Sequence, residues 1–122
     1  MDAKALVVKS VEVRGVCVLE PQGRIDSSSV ATMDEAFHRA LASGPKPLLV
    51  DMGGVEYISS GGLRSFLLTL KESKKREVKM CLCGLAPSVS KVFKLAGFNT
   101  IFDIRAGREE AIADLEKTPH AP

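Results

Sequence analysis

Leu48-Leu49-Val50, closed by Asp51, is a short apolar run that does not alternate with polar residues. A strand with one wet face alternates, so a run without alternation reads as a strand covered on both faces. Further along, Leu63, Phe66, Leu67 and Leu70 recur at i, i+3, i+4 and i+7, which is one apolar face of a helix. A strand covered on both sides, followed by a one-sided helix, requires layers of helix packed on a sheet.

The rest of the chain repeats this grammar. Residues 5–13 alternate with a period near two, Arg14-Gly15 offers a turn, and Val16-Cys17-Val18-Leu19 follows as a strand ending before Pro21. These two strands read as a hairpin. Gly23-Arg24-Ile25-Asp26 leaves the strand, and Ser27, Ser28 and Ser29 offer N-caps for a helix over residues 30–42. In that helix Val30, Met33, Ala36, Phe37, Ala40 and Leu41 share helical spacing, and Ser43-Gly44-Pro45 stops it. Asp51-Met52-Gly53-Gly54 closes the next strand, and Val55-Glu56-Tyr57-Ile58 links it to a helix starting near Gly61. Lys74-Lys75-Arg76 lies at that helix's far end, where cations complement the macrodipole.

A strand over residues 78–83, a helix from Pro87 to Gly97, a short strand Thr100-Ile101-Phe102 and a helix over residues 107–117 complete the chain. The order β-β-α-β-α-β-α-β-α favours parallel strands joined by right-handed crossovers. The expected fold is a small α/β sandwich, with a mixed, mostly parallel sheet, an N-terminal hairpin and about four helices. Residues 1–117 form one domain and residues 118–122 a flexible tail.

Charge and cysteine content narrow the function. A net charge of +2 gives no electrostatic claim on nucleic acid or on a membrane. No signal pattern opens the chain and no apolar stretch approaches the roughly 20 residues a bilayer needs. Three cysteines without a framework spacing fit a reduced, cytoplasmic setting. Cys81 and Cys83 face one side of a strand, but a metal would need further ligands, and the only histidines are His38 and His120. The cysteines read as small hydrophobic residues, with no metal and no cofactor implied. Neither phosphate-loop pattern, G-x-x-x-x-G-K-[ST] or G-x-G-x-x-G, occurs. A hydrolase elbow would need Gly where Ile58 stands, and no acid–histidine pair accompanies Ser60.

What remains is Ser59-Ser60-Gly61-Gly62. One serine caps the following helix and satisfies an orphan N–H. The same geometry tolerates a phosphoryl group, which would lie beside free N–H groups and the positive end of the dipole. Gly61 and Gly62 leave the hydroxyl uncovered.

The segment LLVDMGGVEYISSGGLRSFLLTL resembles the signature of the STAS domain of bacterial anti-sigma factor antagonists. Gly23-Arg24-Ile25-Asp26 matches that family's G-x-[LI]-D, and Cys83 to Pro87 and Leu95 to Phe98 resemble its later segments. The resemblance implies a STAS-like sandwich that is not an enzyme. It implies a domain that binds an anti-sigma factor with serine kinase activity and is released when that kinase phosphorylates it. A PP2C-type phosphatase then resets it, and transcription is regulated by partner switching. The resemblance places the phosphoacceptor on Ser60, with Ser59 the second candidate, and a partner-binding surface at Asp26, Ser27, Ser59, Ser60, Gly61, Gly62 and Arg64. Many relatives carry Asp where this chain has Ser59. The alternative is a non-phosphorylated STAS subunit of a lipid-transport or stress-signalling complex.

Overall fold

The computed structural model describes residues 5–116. Strands β1 (Val7–Val13) and β2 (Val16–Ile25) form the expected antiparallel hairpin. Its two-residue loop puts Arg14 at φ 50° and Gly15 at φ 81°, the left-handed pair whose twist matches that of the strands. Helix α1 (Val30–Ala42), β3 (Leu48–Asp51), β4 (Gly54–Ile58) and α2 (Ser60–Lys75) follow. After them come β5 (Met80–Cys83), α3 (Pro87–Leu95), a 3₁₀ turn (Phe98–Thr100), β6 (Asp103–Arg105) and α4 (Arg108–Glu116). The expected tail at residues 118–122 lies outside the described residues.

One mixed sheet runs β1-β2-β3-β5-β6, parallel from β2 onward, with β4 paired to the far end of β2. Its central strands are apolar on both faces, as the unpatterned run predicts. In β3, Leu48 and Val50 enter the larger core under α1, α2 and α3, whereas Leu49 faces the smaller core under α4. In β5, Met80 and Leu82 face one core and Cys81 and Cys83 the other. All five phenylalanines join the larger core as a chain of rings: Phe37 to Phe66 at 5.1 Å, Phe66 to Phe93 at 6.2 Å, and Phe93 to Phe98 and Phe102 at 5.9 and 6.0 Å.

Three expectations are corrected. Strand β2 does not end before Pro21 but continues to Ile25. Cys17–Leu19 pair with β3 and Gln22–Ile25 pair with β4, so Pro21 falls in the interval between partners, where its missing N–H costs no ladder bond on that side. The expected link at Val55–Ile58 is strand β4, which exists because the extension of β2 gives it an edge to pair with. The expected strand Thr100–Phe102 is displaced, since Phe98 and Phe102 turn into the ring cluster and pairing with β5 begins only at Asp103.

Arg108, at the start of α4, ties the two layers together. It donates to Asp51 Oδ2 through Nε and Nη2, at 3.0 and 2.8 Å, and also to Glu20. Burial pushes the Cys81 thiol up to about 11 and the Cys83 thiol up to about 12. Native protein is therefore expected to leave both thiols unreactive toward a disulfide reagent at pH 8, so that Cys81 and Cys83 react only after unfolding while the partly exposed Cys17 is not so protected. The same shifts set an alkaline limit. At and below the ordinary thiol value of 9.0 the stability from these buried thiols is fully present, and it is lost as pH climbs through about 11 and 12. A fast native reaction of Cys81 or Cys83 would contradict this placement.

Candidate functional site

The candidate site lies where the ends of β2 and β4 meet the start of α2. The chain leaves β4 at Ile58, and the Ser59 N–H donates to the Ile25 carbonyl at 2.9 Å, joining the two strand ends. Ser59 is extended, at φ −87° and ψ 173°, and its Oγ accepts the Gly62 N–H at 3.2 Å. It is the N-cap, so α2 starts one residue earlier than expected, at Ser60. Ser59 thereby does the capping that an Asp at this position would do.

Ser60 is the first helical residue and is exposed, whereas Ser59 is only half-exposed. Its hydroxyl stands at the positive end of a 16-residue helix. None of the side-chain hydrogen bonds among the described residues joins Ser60 to a histidine or other base. His38 lies on α1 in a groove shared with α2, lined also by Asp34, Leu68 and Arg76.

The two glycines have different tasks. Gly61 is exposed, and a Cβ there would meet only Ser59 Oγ, at 3.7 Å. Gly62 is buried and does not serve to uncover the hydroxyl. A Cβ on it would come within 2.7 Å of Ile58 Cγ1 and 2.8 Å of Ile25 Cγ2. It lets the first turn of α2 lie directly on the two strand ends. Gly62→Ala is expected to destabilise the fold by about 1–2 kcal/mol in urea unfolding, since overpacking outweighs alanine's helix preference. Gly61→Ala should be neutral or mildly stabilising, and equal losses from the two would refute this account.

Asp26 follows directly on Ile25, so the acidic loop lies beside the serines. Asp26 Oδ1 accepts the Ser28 N–H at 3.0 Å and the Ser28 hydroxyl at 2.7 Å. These bonds hold its carboxyl below the usual range, with help from Arg24, 3.7 Å away. Ser29 occupies the N-cap position of α1 but its side chain does not cap. It donates to the Arg24 carbonyl at 2.6 Å and accepts the Asp26 N–H at 3.0 Å, bracing the loop. Ser27 is exposed at the loop tip, and Arg64 is exposed one turn along α2 from Ser60. The expected residues thus fall on one end of the sheet.

Sequence reasoning missed the residues that shape this end. Arg24 lies over the Tyr57 ring at 4.3 Å, and Ile25 and Ile58 form the seat for Gly62. A signal was present in Val55-Glu56-Tyr57-Ile58, where Val55 and Ile58 turn inward and Glu56 and Tyr57 outward, but only pairing with β2 makes it a strand.

A family model of the STAS domain matches residues 8–111. The chain belongs to the STAS domain family. BtrV of Bordetella bronchiseptica, assigned as an anti-sigma factor antagonist, is 31% identical over 102 residues, covering 84% of this chain and 88% of BtrV. The crystal structure of an anti-sigma factor antagonist from Mycobacterium paratuberculosis matches with a TM-score of 0.86 at 21% identity, over 93% of this chain and 96% of that one. The unphosphorylated form of SpoIIAA matches with a TM-score of 0.76 at 21% identity, over 94% and 99%. The STAS fold accounts for β4 as well: it completes the platform on which α2 begins and on which Ser60 is presented. No helix among the described residues of this STAS domain is long and apolar enough to cross a membrane.

Proposed function

We propose that this STAS protein is a cytoplasmic anti-sigma factor antagonist, a regulatory binding module rather than a catalyst. It binds an anti-sigma factor that is also a serine kinase, and phosphorylation of Ser60 ends the complex. A PP2C-type phosphatase restores the binding form. The observation that carries this reading is the division of labour between adjacent serines. Ser59 Oγ is engaged with the Gly62 N–H, while Ser60 is exposed at the first helical position. A phosphoryl group there would gain from the helix dipole, so modification changes the surface charge by about −1.5 to −2 and spares the fold. The identity with BtrV and the absence of a base bonded to Ser60 support regulation over hydrolysis.

The test is to incubate the purified protein with ATP and candidate anti-sigma factor kinases from the same organism, then locate the phosphate by mass spectrometry. Phosphate is expected on Ser60 and absent from Ser60→Ala. Phosphate on neither serine sinks the switch. Phosphate on Ser59 would contradict the assignment of roles. Covalent labelling of Ser60 by an active-site serine probe would favour the hydrolase instead.

A further inference from the structure

Helix α2 carries Arg64, Lys71, Lys74 and Lys75 against the single acid Glu72, in a chain whose whole net charge is only +2. The helix is buried along Gly62, Ser65, Phe66, Thr69, Leu70 and Ser73. Ser60, Arg64, Lys71 and Lys75 are spaced 4, 7 and 4 residues apart, which at 3.6 residues per turn keeps them within about 60° of one another. All four are exposed and point away from the sheet. Leu68, 51% exposed, interrupts the row of cations with an apolar contact surface. Glu72 is turned toward the groove with α1 and is paired there with Arg76 at 2.9 Å. None of Arg64, Lys71, Lys74 and Lys75 forms a salt bridge among the described residues. The nearest acid on the helix, Glu72, feels Lys75 only at longer range and gives its hydrogen bond to Arg76.

We propose that this outward strip of α2, running from Ser60 through Arg64 and Leu68 to Lys71 and Lys75, docks an acidic segment of the partner protein. The proposal rests on the switch reading for its head, because a partner that grips Ser60 must also cover the next turns of the same helix. Charge complementarity supplies the remainder: a row of exposed cations, none in an ion pair among the described residues and broken by a leucine, fits carboxylates interspersed with apolar side chains. Continuity with Ser60 favours a protein over a nucleic acid or a lipid surface. Phosphorylation then acts in two ways. It puts an anion at the head of a strip that the partner meets with anions, and it offers Arg64, one turn away, a competing partner inside the chain.

The test titrates isotope-labelled protein at low salt with a peptide of alternating Glu and Leu. Oligothymidylate and phosphatidylglycerol-containing vesicles are run beside it. Amide shifts are expected along residues 64–75, with binding lost at high salt. Lys71→Glu with Lys75→Glu should weaken the peptide about tenfold, whereas Lys91→Glu with Lys94→Glu, on exposed positions of α3, should not. Equal losses from the two pairs would reduce the strip to diffuse positive charge and overturn the proposal. So would tighter binding of the oligonucleotide or the vesicles, or shifts elsewhere on the protein. Ser60→Asp should weaken the peptide about threefold. If it has no effect while the Lys71 and Lys75 pair still does, the docking strip stands and its coupling to Ser60 falls. These peptide measurements need no kinase, so they stand apart from a failure to find phosphate on Ser60.

Discussion

Ser60→Asp is expected to weaken binding to the kinase-like anti-sigma factor by about a hundredfold while leaving the fold intact. Ser60 is exposed at the start of α2, so a carboxylate there stays out of the core and, in the proposed complex, faces the partner. Like charges forced together across an interface cost several kcal/mol, and about 3 kcal/mol corresponds to a hundredfold in Kd. The same carboxylate is favourable to the isolated protein, at roughly 0.3–1 kcal/mol, because it sits at the positive helix end. Affinity and stability should therefore move in opposite directions, a signature that a misfolded variant would not give. Titration calorimetry with the anti-sigma factor and urea unfolding on the same preparations check both halves. Unchanged affinity would remove the charge argument altogether. Ser59→Ala supplies the complementary result: it should lose about 1 kcal/mol of stability with the cap and keep phosphorylation on Ser60.

Phe66→Ala carries the largest expected loss of stability, about 3–5 kcal/mol. Phe66 is fully buried on the inner face of α2 and is the ring through which Phe37 of α1 meets Phe93 of α3. Removing it takes away both edge-to-face contacts and opens a cavity between three helices that share one face of the sheet. A domain of this size has roughly 5–15 kcal/mol in total, so the variant is expected to be partly unfolded at physiological temperature. Thermal unfolding followed by circular dichroism should show it, and a loss below about 1 kcal/mol would mean the core collapses onto the gap. Comparing Phe66→Ala with Ser60→Asp separates the buried face of α2 from its exposed start. One holds α2 to the sheet and the other sets what α2 presents.

Much of this was legible in the residues. The unpatterned run Leu48-Leu49-Val50 required cover on both faces, and Cys81-Leu82-Cys83 divides between the two cores in the same way. Arg14-Gly15 offered the hairpin turn because glycine readily takes the positive φ that a two-residue loop favours. Val30–Ala42 was readable to its bounds because its apolar spacing and its stop signals are local properties. The signature around Ser59-Ser60 marks the helix start that the structure shows at Ser60.

Tertiary structure decided what depends on neighbours. Local cues at Pro21 argue for the end of a strand, yet β2 passes through it because its partners change there. Four residues, Val55 to Ile58, are too few to declare themselves a strand without the edge that β2 provides. Gly61 and Gly62 are the same letter, and only the approach of Ile25 and Ile58 makes one dispensable and the other required. The sequence by itself placed two hydroxyls at a helix start, since capping preference and apolar period are written in consecutive residues. Which hydroxyl caps and which faces outward is a matter of backbone direction across the junction of β4 and α2, fixed by the hydrogen bond from Ser59 to Ile25 on a strand more than thirty residues away.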